Sequence, residues 1–176
     1  MGSRAGRFNR FVALPLAILS LLAANSAALA APRRVAVFPF ELLDTSLEGQ
    51  MSGANAGDHA RIERLAPQLR DALAASDRYV VVPIEAVEAR ARAQNLQACG
   101  GCDAKLAAEV RADYGITGQV QKVSNLILNM NIYIREVASG RTIEAASVDM
   151  RGDTDESWTR ALAFLVRNHL LSAPSP

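Results

Sequence analysis

The sequence predicts a mixed α/β domain: a five-stranded mixed sheet with helices packed on it, in the order β-α-β-α-α-β-β-β-α. Three observations carry this reading. Two runs rich in β-branched and aromatic residues, Arg33 to Phe40 (RRVAVFPF) and Arg78 to Val82 (RYVVV), flank a helical pattern. Strand, helix and apolar strand in that order make a crossover, so the two strands should be parallel. Leu126 to Val137 (LILNMNIYIREV) instead alternates, with Leu126, Leu128, Met130, Ile132 and Ile134 on one face and Asn129, Asn131, Tyr133 and Arg135 on the other. That period of two marks an antiparallel strand with one packed and one wet face.

The elements follow from the amino end. Arg4, Arg7 and Arg10 precede an apolar run from Phe11 to about Ala24, and Ala28-Leu29-Ala30 offers the small-x-small pattern of a signal-peptidase site. Residues 1–30 are therefore expected to be an export signal. The run is short for a membrane span, no stop-transfer segment follows, and no cysteine stands at the cleavage point to take a lipid. The expected mature chain, 31–176, lacks a transmembrane segment and is assigned to the periplasm. Residues 31–171 form one domain of ordinary size and 172–176 a disordered tail. All 18 acidic residues follow position 30, while three of the 19 Lys and Arg precede it, which leaves a mature balance of −2. The arginines are dispersed among Glu and Asp, which argues against a nucleic-acid partner.

The first strand should end at Pro39. Leu42 to Asp58 (LLDTSLEGQMSGANAGD) has no periodicity and reads as a loop of about seventeen residues, long enough to suggest function. From His59, Ile62, Leu65, Leu69 and Leu73 repeat at helical spacing, with Asp58 as the natural N-cap and Pro67 set to kink the helix or end a pre-helix near Leu65. Ile84 to Asn95 and Asp103 to Ala112 read as two further helices, broken by Gly100-Gly101. Tyr114 to Ser124 is a strand, Ser139-Gly140 a hairpin turn, and Thr142 to Met150 the returning strand. Asp153-Thr154-Asp155-Glu156 should cap a last helix whose stripe is Trp158, Leu162, Leu165, Val166 and Leu170.

Cys99-Gly100-Gly101-Cys102 is the sharpest local motif, and three readings compete for it. A redox pair needs a thiolate of lowered pKa at a helix N-terminus, and here the pair does precede a helix, although Asp103 disfavours a thiolate. A metal site needs more ligands than the scattered His59 and His169 provide. A small structural disulfide pinning the corner from Gln97 to Ala104 is the preferred reading. The acidic residues near Asp149 and Asp153 lack calcium-loop spacing, and Gly115-x-x-Gly118 lies within a strand pattern, where a bulge or close packing explains it. No catalytic residue, metal or cofactor is assigned. Two binding surfaces are: the long segment, through Glu41, Asp44, Thr45, Ser46 and Glu48, and an amide-rich sheet face made by Gln119 and Gln121 on one strand with Asn129, Asn131 and Tyr133 on its neighbour.

The segments VAVFPFELLDTS, CGGCDAKLAAEVRADYGITGQVQKVSNLILNMNIYIREV and VDMRGDTDESWTRALAFLVRNHLL together resemble an uncharacterised proteobacterial family of exported proteins, over essentially all of the mature chain. More distantly the succession of elements is similar to the amino-terminal α/β domain of TolB and the periplasmic core of CsgG-like outer-membrane proteins, which often place a cysteine pair where Cys99 and Cys102 stand. The resemblance implies a non-catalytic periplasmic module that docks to other envelope proteins. It also implies an accessory role beside periplasmic quinoprotein alcohol-oxidation or envelope-assembly systems. With no lipobox cysteine and no following β-propeller, pore formation and translocation are not carried over. The alternatives are a thiol–disulfide oxidoreductase using Cys99 and Cys102, and small-ligand capture.

Overall fold

Pro39 shapes the centre of the sheet. It has no N–H to give to a ladder, and it divides one extended run into β1 (Arg33–Val37) and β2 (Glu41–Asp44). Both halves run parallel to the same long strand, β4 (Tyr114–Ser124): Val35–Val37 lie opposite Tyr114–Ile116, and Glu41–Asp44 opposite Gln119–Lys122. The computed structural model describes Gly2 and residues 31–53 and 55–172; the expected export signal and the tail beyond Ser172 lie outside the described residues.

The remaining strands are β3 (Tyr79–Val81), parallel to β1, and the antiparallel pair β5 (Ile127–Glu136) and β6 (Thr142–Met150). The sheet order is β3-β1-β4-β5-β6, with β2 beside β4. The mixed sheet, the parallel first crossover and the antiparallel meander are as read from the sequence, with β2 as an added sixth segment. Val35, Val37, Ile116, Val120 and the inward residues of β5 pack under α2 (Ala56–Ala74) and α5 (Asp155–Leu165) to form the main core. On the other face, Ala36 and Phe38 pack against α3 (Glu85–Arg92) and α4 (Cys102–Glu109).

Several expectations are corrected. The segment 42–58 is not one loop: it holds β2, the short helix α1 (Leu47–Ser52) and the first turn of α2. Its Gly, Ser and Asn residues are turn and cap chemistry, for Ser46 caps α1 and Asn55, not Asp58, caps α2. Helix α2 runs through Pro67 without ending at Leu65. Pro67 points to solvent, and burial of Ile62, Leu65, Ala66, Leu69 and Leu73 along one stripe outweighs the ~3 kcal/mol that a helix-interior proline costs. Leu126 does not join the packed face; it sits in the β4–β5 turn, 73% exposed, while Leu128, Met130, Ile132 and Ile134 are buried.

The glycines of β4 mark close packing on both sides of the sheet. Gly115 leaves room for Phe38, 3.3 Å from where a Cβ would stand, and for the backbone of α4. Gly118 faces the other way, and a Cβ there would run into the Phe40 ring. Gly118→Ala should therefore lower stability by about 1–3 kcal/mol, the usual penalty of overpacking. A concomitant Phe40→Leu change should cushion that loss in urea denaturation; equal losses with and without it would mean the glycine is needed for its backbone instead.

Candidate functional site, an open sheet face backed by a buried ion cluster

Lys122, near the end of β4, is fully buried. Its Nζ donates to Asp58 Oδ2 at 2.6 Å and to Asp153 Oδ2 at 2.8 Å. Arg61 Nη1 donates to the other oxygens of the same two carboxylates, at 2.8 Å and 3.0 Å, and the Trp158 indole N–H reaches Asp153 Oδ1 at 2.9 Å. The cluster joins the start of α2, the end of β4 and the turn into α5. Asp153 is thus no helix cap; Thr154 has that place, its hydroxyl accepting from the N–H of Ser157. Burial opposes the charge on Lys122, but the two carboxylates outweigh it and push the ammonium up to about 12. Burial raises Asp58 against the pull of Lys122, whereas Asp153, also disfavoured by burial, is held below the usual carboxylate range by Lys122, Asp58 and the Trp158 donor.

Period-two alternation carries the consequence to the other side of β4. With Val120 and Lys122 turned toward α2 and α5, Gln119, Gln121 and Val123 face away. Gln119 pairs with Asn131 and Gln121 with Asn129 across the β4–β5 ladder, and Thr117 pairs with Tyr133. The structure thus brings together the five residues expected on the amide face. It adds members that sequence reading missed: Leu43 of β2, opposite Gln121, with Val123 and Ile127 at the turn end. These three are 43%, 49% and 61% exposed. Asn129 is partly engaged, its Nδ2 donating to Ser147 and Asp149 of β6 at 2.9 Å and 2.8 Å. Helices α3 and α4 cover only the far end of this face.

The connector between those helices straps the boundary of the open region. Gln97 Nε2 donates to Thr117 Oγ1 at 2.7 Å, and the backbone N–H of Leu96 donates to the Glu41 carboxylate. Burial raises the Glu41 carboxyl, against the N–H groups of Leu96 and Gln97. Cys99 and Cys102 close the disulfide that ends the strap, with Cα atoms 5.7 Å apart. Asp44, Thr45, Ser46 and Glu48 make local contacts: Asp44 Oδ1 accepts from the Ser46 N–H, Thr45 Oγ1 donates to the Lys122 carbonyl, Ser46 Oγ accepts from the Gly49 N–H, and Glu48 accepts from Asn125. Gly115 and Gly118 form no phosphate loop. His59 and His169 are both exposed, on α2 and at the end of the π-helical turn Val166–Leu170, and among the described residues no group of three or more His, Cys, Asp and Glu is placed to hold a metal.

The fold and this face define a mixed α/β domain in which no helix among the described residues covers this sheet surface beyond its far end. The chain belongs to the family DUF3280, described as "Protein of unknown function (DUF2380)", which matches residues 33–170. No curated protein matches it in sequence. Among solved structures it is similar to the hypothetical protein CT253 from Chlamydia trachomatis, at 12% identity and a TM-score of 0.50 over 78% of this chain and 95% of that one. It is also similar to the LpoB C-terminal domain from Salmonella enterica (15%, TM-score 0.48, 71% and 87%) and to TolB from Acinetobacter baumannii (14%, TM-score 0.45, 82% and 29%). CT253 shares the fold. No helix among the described residues is long and apolar enough to cross a membrane.

Two outcomes test this geometry. Lys122→Met leaves Asp58 and Asp153 with Arg61 as their remaining cation and should cost about 3–5 kcal/mol at pH 7. In the wild type the Lys122 contribution is complete between the carboxylate range and the unfolded lysine value and is lost as pH rises through about 12. The gap between wild type and variant should narrow as pH falls through the carboxylate range, because protonated aspartates no longer need the ammonium; urea midpoints at pH 7 and pH 4 measure it. Cys99→Ser opens a very short loop and should cost less than the ~2 kcal/mol at the low end for disulfides, with insulin reduction equally negligible before and after the change.

Proposed function

We propose that this protein is an exported, non-catalytic accessory protein of the bacterial cell envelope that binds a partner protein on its open sheet face. The observation that carries the reading is the face itself, which no helix among the described residues covers beyond its far end. Gln119, Gln121, Asn129, Asn131 and Tyr133 stand side by side in register, and Leu43, Val123 and Ile127 form an exposed apolar margin. Side-chain amides offer both donors and acceptors, and an aromatic and aliphatic border adds desolvation, a composition suited to protein interfaces. The segment from Glu41 to Glu48 borders this face and contributes through Leu43 and its backbone.

Export and periplasmic residence rest on the Arg-rich, apolar leader with its Ala28-Leu29-Ala30 site. The family resemblance supports a place beside a quinoprotein alcohol-oxidation or envelope-assembly system, and the kinship with CsgG-like cores belongs to the same reading. The buried charged groups described above serve packing: Lys122 and Arg61 together balance the carboxylates of Asp58 and Asp153, with Lys122 and Asp58 fully buried.

Photocrosslinking in intact cells checks the surface. With p-benzoylphenylalanine replacing Asn131 or Gln121, one discrete heavier species of the same size should form at both positions, and none when the exposed Asp71 on α2 carries the probe. Adducts that are absent from the face, or equally frequent from Asp71, would remove this reading.

A further inference from the structure

β6 closes one side of the sheet, and its outer edge pairs with no strand among the described residues. Its ladder to β5 accounts for its backbone pairing, and no other backbone hydrogen bond reaches residues 142–150 among the described residues. Proteins usually blunt such an edge with Lys, Pro or a covering element. The sequence of β6, TIEAASVDM, holds neither residue; its charged residues are Glu144 and Asp149, and the register shifts at Ile143, which stands 46% exposed, so the regular edge runs from Glu144 to Met150. Beside the edge, α5 leaves a groove of about 690 Å³ whose floor includes Val148, Ala161 and Phe164. Phe164 is itself 42% exposed.

The charge around this groove is uneven. Arg151, Arg160 and Arg167 line it together with Asp149 and Glu156, and Asp149 accepts from Asn129. Arg160 pairs with Glu156, whereas neither Arg151 nor Arg167 has a carboxylate partner among the described residues. Residues 154 to 167 extend for about 20 Å, the reach of roughly six extended residues. A second copy presenting its own β6 would bring its α5 and its free arginines against these, helix on helix and like charge on like.

We propose that this groove takes an extended acidic peptide of a partner protein, which adds to the sheet as a strand beside β6. Its backbone pairs with the free edge, alternate apolar side chains rest on Val148 and Phe164, and its carboxylates meet Arg151 and Arg167. The groove lies along the sheet's edge and not on its open face, so the crosslinking outcome above neither supports nor weakens it.

The probe is a fluorescein-labelled peptide of about seven residues alternating glutamate and valine, titrated against the full chain by fluorescence polarisation. It should bind, with amide shifts confined to β6 and α5. Methylation of alternate peptide nitrogens should weaken it at least about tenfold, because strand addition needs those donors. Reversal by Arg151→Glu with Arg167→Glu should do the same while admitting the lysine–valine counterpart, which the wild type rejects. No binding, equal affinity for the methylated peptide, shifts on the Gln119 to Tyr133 face, or self-association of the free chain through β6 in sedimentation and amide-shift mapping would each overturn the assignment.

Discussion

The Lys122 ammonium, held between Asp58 and Asp153 with no exposure to solvent, is the constraint on which the arrangement of this protein turns. Burying three charges carries a large desolvation cost, and such clusters often contribute little net energy over apolar side chains of similar volume. Their effect falls on which arrangement forms. Slipping β4 by one residue would expose Lys122, bury Gln121 and Val123, and leave two aspartates under α2 and α5 with Arg61 as their remaining cation. The cluster therefore decides which side of the central strand faces water, and so decides the composition of the bare face.

Coverage of the two sheet surfaces is unequal, and this is what leaves a surface available. Helix α2, with 19 residues, and α5, with 11, pack against the Lys122 side. Helices α3 and α4 have eight residues each and shelter only the region around Phe38 and Gly115. The strap through Leu96 and Gln97, tied to Glu41 and Thr117 and closed by the Cys99–Cys102 disulfide, ends that shelter at a defined line. The disulfide thus acts on the corner of the face and not on its chemistry.

Two surfaces of different character follow from one sheet. The open face offers side chains in rows, amide against amide across β4 and β5, and suits a partner that lays a surface on it. The free edge of β6 offers backbone, bounded by α5 and two arginines, and suits a partner that supplies a strand. Membership of a family of unknown function and a fold shared with CT253 are compatible with either use.

Much of this was legible locally. The alternation of Leu128 to Ile134 required one buried and one wet face, the apolar runs around Val35 and Val80 required parallel strands, and the stripe from Trp158 to Leu170 required a helix against the core. Each of these periods is a property of neighbouring residues, readable without knowing what they meet. β2 was hidden because its strand character comes from its partner Gln119–Lys122, more than seventy residues away, and its Gly- and Ser-rich sequel resembles a loop until Ser46 and Asn55 are seen as caps. Asp58 and Asp153 read singly as helix caps, and Arg61 and Lys122 carry no local signal of their own. Only tertiary structure made them one cluster, because Coulombic pairing depends on distance in space and the sequence separates them by up to 95 positions.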